Sequence, residues 1–92
     1  MLKIELTSQF KKDYKRALAR GLSEDAFKKI VLMLAQEQTL PLACKDHKLI
    51  DSRKYINVRE CHISPDWLLV YFVDHGTLSL RLVRTGTHSD LF

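Results

Sequence analysis

The stretch DWLLVYFVD, residues 66–74, is apolar at both parities between Trp67 and Val73, and it decides the fold. A strand with one face in solvent alternates apolar and polar side chains, whereas a strand covered on both faces does not. The run is also much shorter than the roughly 20 residues needed to span a bilayer. We therefore predict a central strand with a packed layer on each face.

Two more strand-like runs flank this stretch, YINVRECHI at 55–63 and TLSLRLVRT at 77–85. Ser64–Pro65 separates the first run from the central one, and Asp74-His75-Gly76 supplies a compact hairpin turn before the last. Strands joined by such short connections pair antiparallel. The carboxyl-terminal half therefore predicts an antiparallel sheet.

The amino-terminal half predicts one strand and two helices. Leu2, Ile4 and Leu6 alternate with polar residues, which is typical of a half-buried strand. Apolar residues then recur at helical spacing in two segments, one ending near Gly21 and the other beginning at Ser23 and closed by Pro41. The two apolar stripes are Phe10, Tyr14, Ala17, Leu18 and Phe27, Ile30, Val31, Leu34.

A loop over residues 42–54 connects the second helix to the sheet. The predicted order is thus β-α-α-β-β-β, in which two amino-terminal helices pack on an antiparallel twisted sheet. With 92 residues, the chain is expected to form a single α+β domain over residues 1–92.

Composition places the chain among ordinary globular proteins, because 46% of its residues are hydrophobic and 28% are charged. The amino terminus lacks the apolar block and cleavage site of a signal peptide. Cys44 and Cys61 do not form a C-x-x-C motif and are interpreted as buried, reduced thiols. These features favour a cytoplasmic protein without a membrane anchor.

The net charge of +4 and the pI near 9.2 favour polyanionic partners. Cations concentrate in the segment 45–59, where only Asp46 and Asp51 oppose them. We expect this segment to bind RNA, although charge alone fits a solvated loop equally well. The candidate RNA-binding cations are Lys45, Lys48, Arg53, Lys54 and Arg59.

Three clusters combine residues that carry chemistry: KDH at 45–47, RECHISPDW at 59–67 and RTGTHSDLF at 84–92. The strand after Gly76 runs back antiparallel, so its far end returns to the edge where Asp66 begins the central strand. We expect one site there, whereas His75 lies at the opposite turn. The predicted site comprises His47, His62, Asp66, Arg84 and His88.

This set suits the cleavage of RNA by its own 2′-hydroxyl group. The reaction needs a base for that proton, an acid for the departing 5′-oxygen and a cation beside the phosphorane. Histidine can fill either proton role, and Asp66 can act as a base or orient a histidine. Arg84 offers a permanent charge to the non-bridging oxygens. No metal and no cofactor are required.

Structural alternatives exist for these residues. Asp66 after proline can be a turn former, a lone His62 can be structural, and Arg84 can pair with Asp66 or with the terminal carboxylate. Phe92 can bury its ring in the core. Three histidines can also hold zinc, which the neighbouring arginine disfavours.

The clusters KDH, RECHISPDWLLVY (59–71) and RTGTHSDLF resemble the RelE superfamily of bacterial toxins, most closely its YafQ-like branch. The resemblance extends over nearly the whole chain. It implies a metal-independent endoribonuclease that cuts messenger RNA in the ribosomal A site, and a cognate antitoxin that inhibits it. Operator DNA would be contacted only through the antitoxin complex.

The resemblance also implies residue roles. Histidines and an aspartate serve proton transfer, with His88 as principal acid or base opposite Asp66 or His47. The arginine stabilises charge and the terminal aromatic, Phe92, holds the substrate base. One departure is Asn57, where the family often has glycine, although asparagine tolerates a positive φ.

Two other functions remain open from the sequence. The chain could be a binding module that works mainly with its antitoxin in co-repression, or a ribonuclease that cuts free RNA. A small basic domain has limited surface for gripping RNA alone, which disfavours the second.

Overall fold

The computed structural model describes all residues from Met1 to Phe92. Three helices pack with a five-stranded mixed sheet, which confirms the predicted α+β class. The elements are β1 (Lys3–Leu6), α1 (Ser8–Ala19), α2 (Glu24–Ala35), a 3₁₀ turn (Leu42–Cys44), β2 (His47–Lys48), β3 (Arg59–Ser64), β4 (Trp67–Asp74), β5 (Ser79–Gly86) and α3 (His88–Leu91).

The apolar stretch forms β4, the central strand of a sheet ordered β1-β5-β4-β3-β2. Its side chains enter two separate cores. Leu69 and Tyr71 join the larger core beneath α1 and α2, whereas Leu68 and Val70 join a smaller core with Tyr55 on the opposite face. The predicted coverage of both faces is confirmed.

The sheet differs from the prediction in one pairing. β1 lies parallel to β5, with Lys3 opposite Ser79 and Leu6 opposite Leu82, so the sheet is mixed rather than antiparallel. The chain leaves β1 through both helices and reaches β5 only at the end, a long crossover that allows parallel pairing. Hydrophobic alternation shows which face of a strand is buried, but it does not show whether the strand pairs parallel or antiparallel with its neighbour.

Two short elements were not predicted. β2 contains two residues of the expected loop and pairs with Arg59 and Glu60, and α3 contains four residues of the tail. Neither is long enough to show a hydrophobic period.

The starts of both helices and the end of α1 fit the sequence signals, whereas the prediction that Pro41 closes the second helix is wrong. α2 ends at Ala35, because the chain turns at Glu37, which adopts a left-handed φ of 56°. The hydroxyl groups of Thr7 and Ser23 accept hydrogen bonds from Phe10 N and Ala26 N at the two helix starts, and Gly21 adopts a φ of 103° after α1. No helix of the chain has the length and apolar character that crossing a bilayer requires.

Candidate active site

The turn between β3 and β4 assembles the first part of the site. Ser64 pairs with Trp67, so Pro65 and Asp66 form the tight connection, and an irregularity in register falls between His62 and Ser64. Leu68, next on β4, pairs with Gly86 at the end of β5. This pairing delivers the chain end to the turn, as the hairpin geometry predicted.

His62, Asp66 and His88 line one open hollow of about 440 Å³, called here the histidine hollow. Its remaining walls come from Pro65, Leu68, Thr87 and Ser89. The structure thus brings three of the five predicted catalytic residues to a common cavity. His75 lies at the β4–β5 turn, where its Nε2 is 2.7 Å from Oε1 of Glu37.

The tail is fixed by a capping box at the start of α3. The Thr87 hydroxyl accepts from Asp90 N, and the Asp90 carboxylate accepts from Thr87 N at 2.9 Å. Hydrogen bonding from the Thr87 backbone holds the pKa of Asp90 below its ordinary value. Arg20 Nη1 lies 3.0 Å from Asp90, and Leu91 is fully buried. His88 is therefore presented from a pinned helical turn.

Phe92 forms a bridge to a second cavity. Its ring lies 5.0 Å from the His88 ring and 5.5 Å from the Tyr55 ring, centroid to centroid. Together with His47 and Tyr55 it lines a hollow of about 430 Å³, called here the tail hollow. Phe92 is 50% exposed, so the alternative in which it is buried in the core is wrong; Leu91 takes that place.

His47 lies in this neighbouring hollow rather than in the histidine hollow. Its Nδ1 is 2.7 Å from the Lys45 carbonyl oxygen, which can only accept, so Nδ1 carries the proton. Lys45 adopts a left-handed φ of 48°, which directs that carbonyl group. Nε2 faces Oε1 of Glu60 at 3.9 Å. Nδ1 is thus engaged as a donor to the loop backbone, and Nε2 is the ring nitrogen that remains for a substrate.

Arg84 is paired with a residue that sequence reasoning did not consider. Its Nε and Nη2 donate to Asp13 at 2.9 and 3.0 Å, rather than to Asp66 or the terminal carboxylate. Asp13 is almost fully buried and also accepts from Thr85 N and Gln9. Burial alone would raise the pKa of Asp13, but these hydrogen bonds, led by Arg84, hold it below its ordinary value.

This pairing exists because β1 stops short. Beyond Leu6 the outer edge of β5 is free, and α1 covers it. Thr7 Oγ1 donates to Val83 O at 2.7 Å, and Asp13 accepts from Thr85 N. Asp13 follows Phe10 by three residues and precedes Ala17 by four, so a carboxylate on the buried stripe was a readable signal.

The predicted RNA-binding cations fall into two groups. Arg59 Nε donates to Asp46 and to the Tyr71 hydroxyl, both at 3.3 Å, and Tyr71 donates to Asp46 at 2.6 Å. Burial, followed by the bond to Asp46, raises the pKa of Tyr71. Arg59 therefore anchors the His47 loop to the sheet. The other cations, Lys45, Lys48, Arg53 and Lys54, are exposed.

Two further residues of the site were missed. Glu60 is a buried carboxylate on β3 opposite His47, and Tyr55 donates its hydroxyl proton to the Leu91 carbonyl oxygen at 3.1 Å. Burial raises the pKa of Tyr55. Asn57 adopts the expected positive φ, 57°, and its N–H donates to Asp51. No group of three or more His, Cys, Asp or Glu side chains is arranged to hold a metal ion.

Comparison with known proteins adds to this geometry. Residues 2–92 match the family described as "Bacterial toxin of type II toxin-antitoxin system, YafQ". The mRNA interferase toxin YafQ of Escherichia coli strain B / BL21-DE3 is 41% identical over 91 residues, covering 97% of this chain and 94% of the relative.

Solved structures agree over the whole chain. A metal-bound toxin from Helicobacter pylori superposes with a TM-score of 0.91 at 43% identity, covering 100% of both chains. The E. coli DinJ–YafQ complex contains a chain with a TM-score of 0.87 at 36% identity, covering 100% of this chain and 99% of that one.

Proposed function

The chain belongs to the YafQ family of bacterial type II toxins, and on that premise we propose that it is an mRNA interferase that cuts message in the ribosomal A site. The observation that carries the proposal is the histidine hollow, where His62, Asp66 and His88 meet beside the exposed Phe92 ring. Two proton donors or acceptors and a flat apolar surface are the groups that RNA cleavage requires.

The reaction is a transesterification within the RNA. The 2′-oxygen loses its proton and attacks the adjacent phosphorus, a 2′,3′-cyclic phosphate forms, and the 5′-oxygen departs after gaining a proton. The two proton transfers occur on opposite sides of the phosphorus, so the base and the acid must flank it. We place the base in the tail hollow and the acid in the histidine hollow, because the Phe92 ring, which lines the tail hollow, lies beside the His88 ring.

His47 is assigned as the base and His88 as the acid. The Lys45 carbonyl group holds the proton on Nδ1 of His47, which leaves Nε2 to accept the proton of the 2′-hydroxyl. The Glu60 carboxylate at 3.9 Å balances the positive charge that the ring then acquires. His88 donates to the 5′-oxygen, and Asp66 and His62 line the same hollow.

Charge on the phosphorane is balanced without a metal ion. Arg84 gives Nε and Nη2 to Asp13 and lines neither hollow, so the exposed Lys48 at the tail hollow supplies the nearer positive charge. Treating the toxin with EDTA, and removing the chelator before the toxin meets the ribosome-bound message, should leave cleavage unchanged.

A cognate antitoxin is the protein partner in this proposal. The E. coli YafQ chain was solved in complex with DinJ, and the likeness to that chain covers this whole chain. The toxin would contact operator DNA only as part of such a complex.

Induced expression tests the function. His88→Ala should restore growth and abolish cuts in ribosome-bound message, because the acid is lost. His75→Ala is the matched control, since this exposed histidine lies at the opposite turn beside Glu37; it should remain toxic.

Purified components give the second arm. Message on ribosomes should be cut at A-site codons, while the same message free in solution should be cut far less. If His88→Ala is as toxic as the parent, or if free message is cut equally well, the assignment fails in its catalytic or its ribosomal part.

A further inference from the structure

A third cavity lies on the same face of the sheet and has no part in the reaction above. It encloses about 420 Å³ and is called here the sheet hollow. Its walls come from the loop before β3 and from the outer faces of β4 and β5. The residues used below are Lys54, Tyr55, Ile56, Phe72 and Arg81.

Five of the nine residues that line the sheet hollow are hydrophobic, and two of these five, Tyr55 and Phe72, are aromatic. Phe72 contributes a half-buried ring from β4, and Ile56 stands at the rim with 68% of its surface exposed. A ligand that covered this isoleucine and the neighbouring ring would remove apolar area from water, which is favourable. A flat, apolar ligand group would cover both.

The charge of the hollow is positive. Arg81 lies directly opposite Phe72 in the β4–β5 pairing, and Lys54 lies over the Tyr55 ring at 5.7 Å. No carboxylate lines the cavity. The nearest acidic partner of Arg81 is Glu5, at 4.0 Å and outside the hollow, so the guanidinium remains half exposed. An anionic ligand with an aromatic group matches these walls.

The sheet hollow continues the line of the candidate active site. Tyr55 lines both the tail hollow and the sheet hollow. On its other side Tyr55 contacts Phe92, whose ring lies beside His88. The cavities therefore follow one another across a single face, from the histidine hollow to the sheet hollow.

We propose that the sheet hollow is a nucleobase subsite for the RNA strand, remote from the scissile bond. One unpaired base stacks on Phe72, and Lys54 and Arg81 contact the flanking phosphates. The proposal rests on the proposed function, because it extends the substrate path of the same site. Base–aromatic stacking combined with a cationic rim is the usual means of holding single-stranded RNA.

Binding of short RNAs tests the subsite independently of cleavage. Fluorescence anisotropy would measure the affinity of the wild-type toxin for uncleavable 2′-O-methyl RNAs of roughly three to nine nucleotides. Phe72→Ala should reduce the affinity for the longer RNAs about ten-fold and leave the affinity for the shortest RNAs unchanged. Phe72→Tyr should bind the longer RNAs with nearly wild-type affinity, because the tyrosine ring can still stack on a base.

Controls separate stacking from folding. Phe72→Leu keeps apolar volume but removes the aromatic face. Its melting temperature should therefore be close to that of wild type, while its affinity should no longer increase with RNA length. Leu32→Ala, an exposed apolar residue on the helix side, should change nothing. Arg81→Glu should reduce the affinity for long RNAs and make their binding less dependent on salt.

The proposal is overturned if folded Phe72→Leu and Phe72→Ala bind every RNA length as tightly as wild type. It is equally overturned if these variants lose affinity only for the antitoxin, which would make the hollow a protein-docking surface. A wild-type toxin that binds RNA with this length dependence but never cuts message would instead refute the proposed function.

Discussion

At the scale of single residues, hydrogen bonds within the protein decide which atoms of the site remain for the substrate. The Lys45 carbonyl group takes Nδ1 of His47, so only Nε2 can accept a proton. Asp13 takes two donors of Arg84, so much of that cation's charge is neutralised before substrate binds. Neither constraint can be read from residue type alone.

His47→Gln tests the role of the base. The amide cannot take the 2′-hydroxyl proton, so cleavage should slow by about 10²–10⁴-fold. RNA affinity, measured by anisotropy with uncleavable RNA, should stay within about two-fold of wild type. Loss of affinity with an unchanged cleavage rate would mean that His47 only holds substrate.

Asp13→Asn tests the buried pair. The asparagine leaves the Arg84 charge uncompensated, so the variant should lose about 2–3 kcal/mol of unfolding free energy at neutral pH, as measured by urea denaturation.

The same pair predicts an acid dependence of stability. The pKa of Asp13 is lowered in the folded state, so its contribution is full above the unfolded value near roughly pH 4 and is lost as pH falls below it. As the pH falls below roughly 4, the free energy of unfolding of the wild type should therefore decrease more steeply than that of Asp13→Asn. Parallel acid profiles would contradict the assignment.

At the scale of elements, the tail helix α3 holds His88, the residue that we propose as the acid. Its capping box, its ion pair with Arg20 and the buried Leu91 hold four residues in place at the chain end. Gly86 is required just before it, because a Cβ there would lie 2.9 Å from Asp90 Oδ2.

Thr87→Ala removes the cap hydroxyl from this helix. It should cost about 1 kcal/mol of unfolding free energy and reduce cleavage, since the turn that carries His88 loosens. Ser23→Ala is the matched control, because it removes the cap hydroxyl of α2, which lines none of the three hollows; it should cost a similar free energy and cleave normally. Equal activity of the two variants would show that the cap does not position His88.

The sequence predicts elements well where a hydrophobic period is long enough to be read. The doubly apolar run of β4 and the two amphipathic helices were predicted for this reason. β2, α3 and the parallel direction of β1 were missed, because two or four residues carry no period and alternation carries no direction. Of the site, the hairpin predicted the meeting of His62, Asp66 and His88, whereas the Asp13–Arg84 pair required knowledge of where β1 ends.

At the scale of the whole molecule, three cavities share the sheet face opposite α1 and α2, and lysine or arginine side chains line two of them, the tail hollow and the sheet hollow. A domain with a net charge of +4 gains affinity by releasing counterions from RNA but offers few phosphate contacts. This balance favours a substrate held in place by another body, as on the ribosome.

Salt dependence tests this balance. Binding of free RNA should be weak and should weaken further as salt rises, with a slope set by the few phosphates contacted, while cleavage of message already on ribosomes should change little over the same range. Filter binding and primer extension measure the two. A parallel loss of both activities would mean that the toxin grips RNA by itself.

The chemistry of the cut ends tests the central claim most directly. Message carrying a single 2′-deoxynucleotide at the mapped A-site cut should resist the toxin, and the unmodified message should yield a 2′,3′-cyclic phosphate on the upstream fragment. Cleavage of the deoxy-substituted message, or an upstream fragment ending in a 3′-hydroxyl, would contradict attack by the 2′-oxygen between His47 and His88.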